Sequence, residues 1–141
     1  SAADYIDLFT ARRSWIAQMT LRLRGYDAVL SPTVPIVAPA IAPLVASDEA
    51  FHVTNALLLR NPSVVNLLDG CALSMPCHAT GEMPVGLMVW NGALRDDAVL
   101  DASLAIEAAL ASVLGRNDDP KTPSVSPPEG AQPSWERPGE G

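Results

Sequence analysis

The stretch NLLDGCALSMPCHATGEMPVGLMVWN, from Asn66 to Asn91, decides how the rest of this 141-residue chain is read. Cys71 to Met75 is a short apolar run closed by Pro76, and Val85 to Trp90 is a second run broken only by Gly86. Continuous hydrophobicity of this length is what a strand covered on both faces requires, so the two runs predict a hairpin near the middle of a buried sheet. His78, Ala79, Thr80, Gly81 and Glu82 form the small polar connection, with Gly81 able to take a positive φ.

Working outward toward the N-terminus, Pro62 suits the first turn of a short helix through Val64, Leu67 and Leu68 that Gly70 ends. A separate helix is expected from Asp48 to Arg60, with Asp48 and Glu49 favourably placed at its positive end and Asn61-Pro62 interrupting it. Val34 to Pro43 carries three prolines and no charge, an extended apolar loop that either lines a pocket or packs over the core. Tyr26 to Leu30 reads as a short buried strand that stops at Pro32, because proline cannot donate to a ladder. Ala2 to Arg24 is an amphipathic helix with Ser1 and Asp4 as a capping pair and Gly25 just past its end; its arginines read as the wet face.

Beyond the hairpin, Asp96 and Asp97 can cap an Ala-rich helix whose residues Val99, Ile106, Leu110 and Val113 lie on one face, ended by Gly115. From Arg116 to Gly141 the composition turns to Pro, Gly, Ser, Glu and Asp, and this tail cannot offset its ordering entropy, so disorder is expected. The organisation is therefore one domain over residues 1–115 and a tail over 116–141.

Composition narrows the class. A hydrophobic share of 48% indicates a globular chain, yet no apolar run reaches the roughly 20 residues that cross a bilayer. A net charge of −7 and only nine basic residues would repel phosphate backbones, which argues against nucleic-acid binding. Two cysteines make no disulfide framework and nothing resembles a signal peptide, so a reducing cytoplasm is expected. Ser1 in place of methionine implies that the gene product begins elsewhere.

No isolated active site emerges. Cys71, Cys77 and His78, even joined by His52, fall short of a convincing zinc set, so no metal is expected. Adjacent strand residues point to opposite faces, so Cys77 and His78 are not expected to form a nucleophilic dyad. There is no glycine-rich phosphate loop, and Ser31, Ser74 and Ser103 lack a recognisable base. No cofactor is expected.

Four pieces taken together are more specific: Tyr26-Asp27-Ala28-Val29-Leu30-Ser31-Pro32-Thr33, Asn66 through Cys77, Met83-Pro84-Val85-Gly86-Leu87-Met88, and the Asp97 to Leu110 helix. In order and spacing they resemble the C-terminal part of amidase signature enzymes, over essentially everything from the first helix to Gly115. The resemblance implies an α/β fold, the C-terminal part of an α/β/α sandwich with a mixed sheet, a central hairpin and flanking helices. It implies amide hydrolysis through an acyl-enzyme, in which a serine is activated by a second serine on a cis peptide and by a lysine. No residue here matches that relay: the only lysine is Lys121, and no Gly-Gly-Ser-Ser segment exists.

What the resemblance transfers is a substrate-facing role. Thr33 at a strand end, and Leu59 and Arg60 on the approach to Asn66, correspond to segments that border the cleft in the family. Glutamine-using members commonly carry an acidic residue shortly before the equivalent of Asn66, where this chain has Leu57, Leu58, Leu59 and Arg60. That departure points to an apolar or anionic acyl group, with Arg60 either a carboxylate partner or a cation at a helix C-terminus. The expectation is a C-terminal portion of an amidase, inactive without an upstream half and prone to self-association or to binding that half. A stand-alone binding module that keeps the fold without the chemistry is the alternative.

Overall fold

The computed structural model describes residues 1–114. The expectations placed on Gly115 and on the 116–141 tail lie outside the described residues. Seven elements follow in order: α1 (Ala2–Arg22), β1 (Val29–Pro32), α2 (Ile41–Ala46), α3 (Asp48–Leu67), β2 (Cys71–Pro76), β3 (Gly86–Asn91) and α4 (Asp96–Val113).

The hairpin forms as its two apolar runs predict, and Gly81 in its connection has a φ of 88°. The sheet order is β1-β3-β2, so β3 is the central strand, and both of its pairings are antiparallel. Val29 lies opposite Trp90 and Ala72 lies on the other side of the same residue; Leu30, Val89 and Leu73 form the next rung. Because side chains alternate along a strand, this register puts Val29, Met88 and Trp90 on one face and Leu87, Val89, Leu73 and Met75 on the other.

Each face has its own cover. Met88 and Trp90 pack with Val65 and Leu68 at the end of α3 and with Trp15, Ile16, Met19 and Leu23 from α1. Met75 and Val89 pack on the opposite face with Val99, Ala102, Ile106 and Leu110 of α4. The result is a helix-sheet-helix layering, and Val89 at its centre is fully buried. β2 differs from the expectation of two covered faces. Its alternate residues Ala72, Ser74 and Pro76 are exposed, because β2 lies at the sheet edge while the first-face helices pack on β3.

Helix ends follow local chemistry. Ser1 Oγ accepts from Asp4 N (3.3 Å) and the Asp4 carboxylate accepts from the Ser1 amino group (2.6 Å), completing a capping box. Ser47 Oγ accepts from Ala50 N (3.2 Å) at the start of α3. Asp96 and Asp97 stand inside the first turn of α4, whose cap residue is Arg95, so they face the dipole instead of capping. Three further expectations change. Pro62 does not interrupt α3, which runs continuously from Asp48 to Leu67. The apolar face that buries Val65 against the sheet holds the helix together across the hydrogen bond that Pro62 cannot donate. The Val34 to Pro43 loop ends early, because Pro43 sits in the first turn of α2, where its missing N–H has no intrahelical acceptor to satisfy. Arg12 does not simply face solvent: Nε donates to the Leu67 carbonyl (2.9 Å) and the guanidinium pairs with Asp69 (2.5 Å) just past the end of α3.

Candidate functional site

The sheet end where β1 stops and β3 begins holds Thr33, with Asn61 of α3 bonded beside it. Pro32 ends the regular strand, yet Thr33 N still donates to Gly86 O (2.8 Å), carrying the ladder one residue further. The side chain of Asn61 on α3 donates to the Pro32 carbonyl (2.8 Å), and Arg60 Nε donates to Asn61 Oδ1 (3.3 Å). The Asn61 bond ties α3 to the strand end, and Arg60 is the residue beside Asn61 in that helix. Leu59 lies 51% exposed on the same turn of α3. Thr33 is half-buried and Arg60 is exposed, which leaves both open to a ligand.

Three contributors here were not anticipated. Thr33 Oγ1 and Ser74 Oγ stand 2.5 Å apart, bridging residues 41 positions distant in sequence. Gly86 lies beneath that contact, and Asn61 supplies the link to α3. Only the β1-β3-β2 register brings these positions together. The sequence signals for Asn61 and Gly86 pointed elsewhere, to a helix break and to an interrupted apolar run.

Cys71, Cys77 and His78 each approach a backbone group. Cys71 Sγ lies 3.4 Å from the Gly92 carbonyl. His78 Nδ1 lies 3.2 Å from Val85 N and 3.3 Å from Val85 O, and Cys77 Sγ approaches the same carbonyl at 3.5 Å. Strand alternation does not separate these two, because both follow the last residue of β2 and converge on one Val85 peptide group. Among the described residues no hydrogen bond joins them to each other, and no group of three His, Cys, Asp or Glu is placed to hold a metal ion.

At the opposite end of the sheet, a concavity of about 460 Å³ opens among Ile16, Leu23, Tyr26, Leu68, Asn91 and Arg95. Asn91 is already occupied there, donating to the Tyr26 and Asp27 carbonyls (3.3 and 2.7 Å). None of Thr33, Leu59 and Arg60 lines this space.

The family model described as Amidase matches residues 1–100. The chain belongs to the amidase family. Among relatives of this amidase chain, the 2-amino-5-chloromuconic acid deaminase of Comamonas testosteroni is 33% identical over 98 residues, covering 67% of this chain and 21% of that protein. A glutamyl-tRNA(Gln) amidotransferase subunit from Salinispora arenicola is 32% identical over 91 residues, 64% of this chain and 18% of the relative. Its counterpart from Sulfolobus acidocaldarius is 28% identical over 103 residues, 73% and 21% respectively. The amidase chain thus spans about a fifth of the length of these relatives. No solved structure matches it. No described helix is long and apolar enough to cross a membrane.

Proposed function

We propose that this chain forms the C-terminal wall of the acyl cleft in an amide-hydrolysing enzyme, and that the Ser-cisSer-Lys relay is supplied by residues outside it. The match to the amidase family over residues 1–100 carries this reading. It is supported by the absence from the sequence of any Gly-Gly-Ser-Ser segment and of any lysine other than Lys121. The enzyme acts on a small-molecule amide, with no metal or other cofactor, and the two free cysteines suit a reducing cytoplasm.

Thr33, Leu59 and Arg60 face the acyl group. Thr33 offers a hydroxyl, Leu59 an apolar contact and Arg60 a guanidinium able to hold a carboxylate through paired N–H donors. The Comamonas relative is named for an acid, which agrees with an anionic acyl group at Arg60. In the neighbourhood where glutamine-using members carry an acidic residue, this chain has Leu57, Leu58, Leu59 and Arg60, which supports an acyl group other than glutamine.

The chain is assayed alone and joined to an upstream segment that carries the relay, against neutral and carboxylate-bearing amides. Turnover is expected only from the joined form; robust hydrolysis by residues 1–141 alone overturns the proposal. In the active form, Arg60→Ala should raise KM about tenfold for the carboxylate-bearing amide and leave the neutral amide unchanged, the size expected for one charge-assisted contact. Equal effects on both amides would remove Arg60 from the cleft.

A further inference from the structure

The hydroxyl pair over Gly86 is the best-defined polar feature at the Thr33 end of the sheet. Neighbouring strands lie about 4.8 Å apart, so β1 and β2 are separated by about 10 Å with β3 between them. Side chains from the two outer strands meet across such a gap only where the central strand leaves it empty. Gly86 does so. A Cβ built there would lie 2.7 Å from Thr33 Oγ1, 2.8 Å from Ser74 Oγ and 3.2 Å from Thr33 Cβ. Gly86 needs no positive φ, so the reason for glycine is room for the two hydroxyls and not backbone conformation.

The contact holds Thr33 from both ends. Its backbone N–H is fixed by Gly86 O at 2.8 Å and its side-chain oxygen by Ser74 at 2.5 Å. Together they select one χ1 rotamer for a side chain that stands past the end of the regular strand. Whichever hydroxyl donates within the pair, one O–H remains to donate outward, along with acceptor lone pairs. Ser31, two residues earlier on the same strand face, takes no part: its buried Oγ has no hydrogen-bond partner among the described residues.

We propose that Ser74 is a positioning residue for the amide substrate: through the Thr33–Ser74 contact over Gly86, it presets the Thr33 hydroxyl that the acyl group meets. This rests on the reading of Thr33 as a cleft residue. In this role Ser74 acts on the substrate only through Thr33, whose oxygen keeps a lone pair to accept with in either donor arrangement.

Two measurements test the proposal. The Thr33 methyl carbon shift reports the χ1 population and can be read by methyl NMR in assemblies as well as in monomers. In the full chain, Ser74→Ala should move that shift toward its rotamer-averaged value, while Ser74→Thr, which keeps a hydroxyl, and Ser31→Ala should not. An unchanged Thr33 shift in Ser74→Ala overturns the positioning role. In the relay-completed enzyme, Ser74→Ala and Thr33→Val should each raise KM about two- to tenfold with kcat nearly constant, the size of one neutral hydrogen bond. The double variant should be no worse than Thr33→Val alone. Additive losses overturn the proposal, because Ser74 would then act independently of Thr33. A moved methyl shift with KM unchanged in both single variants also overturns it, and identifies the failed step as the placement of Thr33 at the cleft. Should Ser74→Ala lower the yield of folded chain, Gly86→Ala serves instead, since its methyl group occupies the space between the hydroxyls.

Discussion

Gly70 and Asn91 show how closely two residues at the base of the hairpin depend on each other. A methyl group at Gly70 would run into the Asn91 carbonyl oxygen and press on Val65 Cγ1 at 3.1 Å. Gly70→Ala should therefore destabilise the fold by about 1–3 kcal/mol, as overpacking does, read as a lowered melting midpoint. Asn91 is 3% exposed, and its amide is spent on the Tyr26 and Asp27 carbonyls while its Oδ1 accepts from Gly92 N (2.7 Å). Asn91→Ala removes all three partners and should cost a similar amount, about 1–3 kcal/mol. Ser103, although 4% exposed, bonds among the described residues only to Val99 O one turn back in its own helix (2.6 Å), so Ser103→Ala should change the midpoint little.

Among the elements, α3 carries the clearest conflict between local preference and tertiary demand. Proline in a helix interior forfeits one hydrogen bond and crowds the preceding turn. Packing of Val65 and Leu68 on the sheet, the Arg12 bond to Leu67 O, and the Asn61 bond to Pro32 O hold the helix on both sides of Pro62. Pro62→Ala is expected to raise the thermal midpoint, because the restored N–H can complete the ladder; the gain is about 1 kcal/mol or more. A fall would mean that the proline sets a bend needed to bring Asn61 to β1. The Arg12–Asp69 pair adds little by itself, since Asp69 is 63% exposed and water screens it. The carbonyl bond of Arg12 to Leu67 does more, because it satisfies one of the acceptors left free at the end of α3.

At the scale of the molecule, much apolar surface is left uncovered. Leu30 on β1 is 53% exposed beside the face that α4 covers, Leu104 on α4 is 67% exposed, and Ile41 and Val45 on α2 are 76% and 82% exposed. Both β1 and β2 present open edges among the described residues. Open edges next to exposed leucines favour association. Light scattering of the isolated chain should thus report oligomers or aggregates, and joining the upstream segment should shift the population toward defined particles. A monodisperse monomer with one cooperative melting transition would count against this expectation.

The local elements were legible because their determinants are local. The apolar runs on either side of Pro76 and Gly81 specified the hairpin, Ser1 with Asp4 specified a helix start, and Pro32 ended a strand. The ordered pieces from Tyr26 to Leu110 were also enough to indicate the amidase family. Where sequence reading failed, residues distant along the chain made the decision. Pro62 was outvoted by burial of α3 against Met88 and Trp90. The contact between Thr33 and Ser74 needs a central strand bearing glycine at one position, in one register. Periodicity and capping fix what each segment becomes. Which side chains meet at the Thr33 end of the sheet is fixed by strand order and register, because a shift of a single residue would turn Ser74 to the opposite face of the sheet.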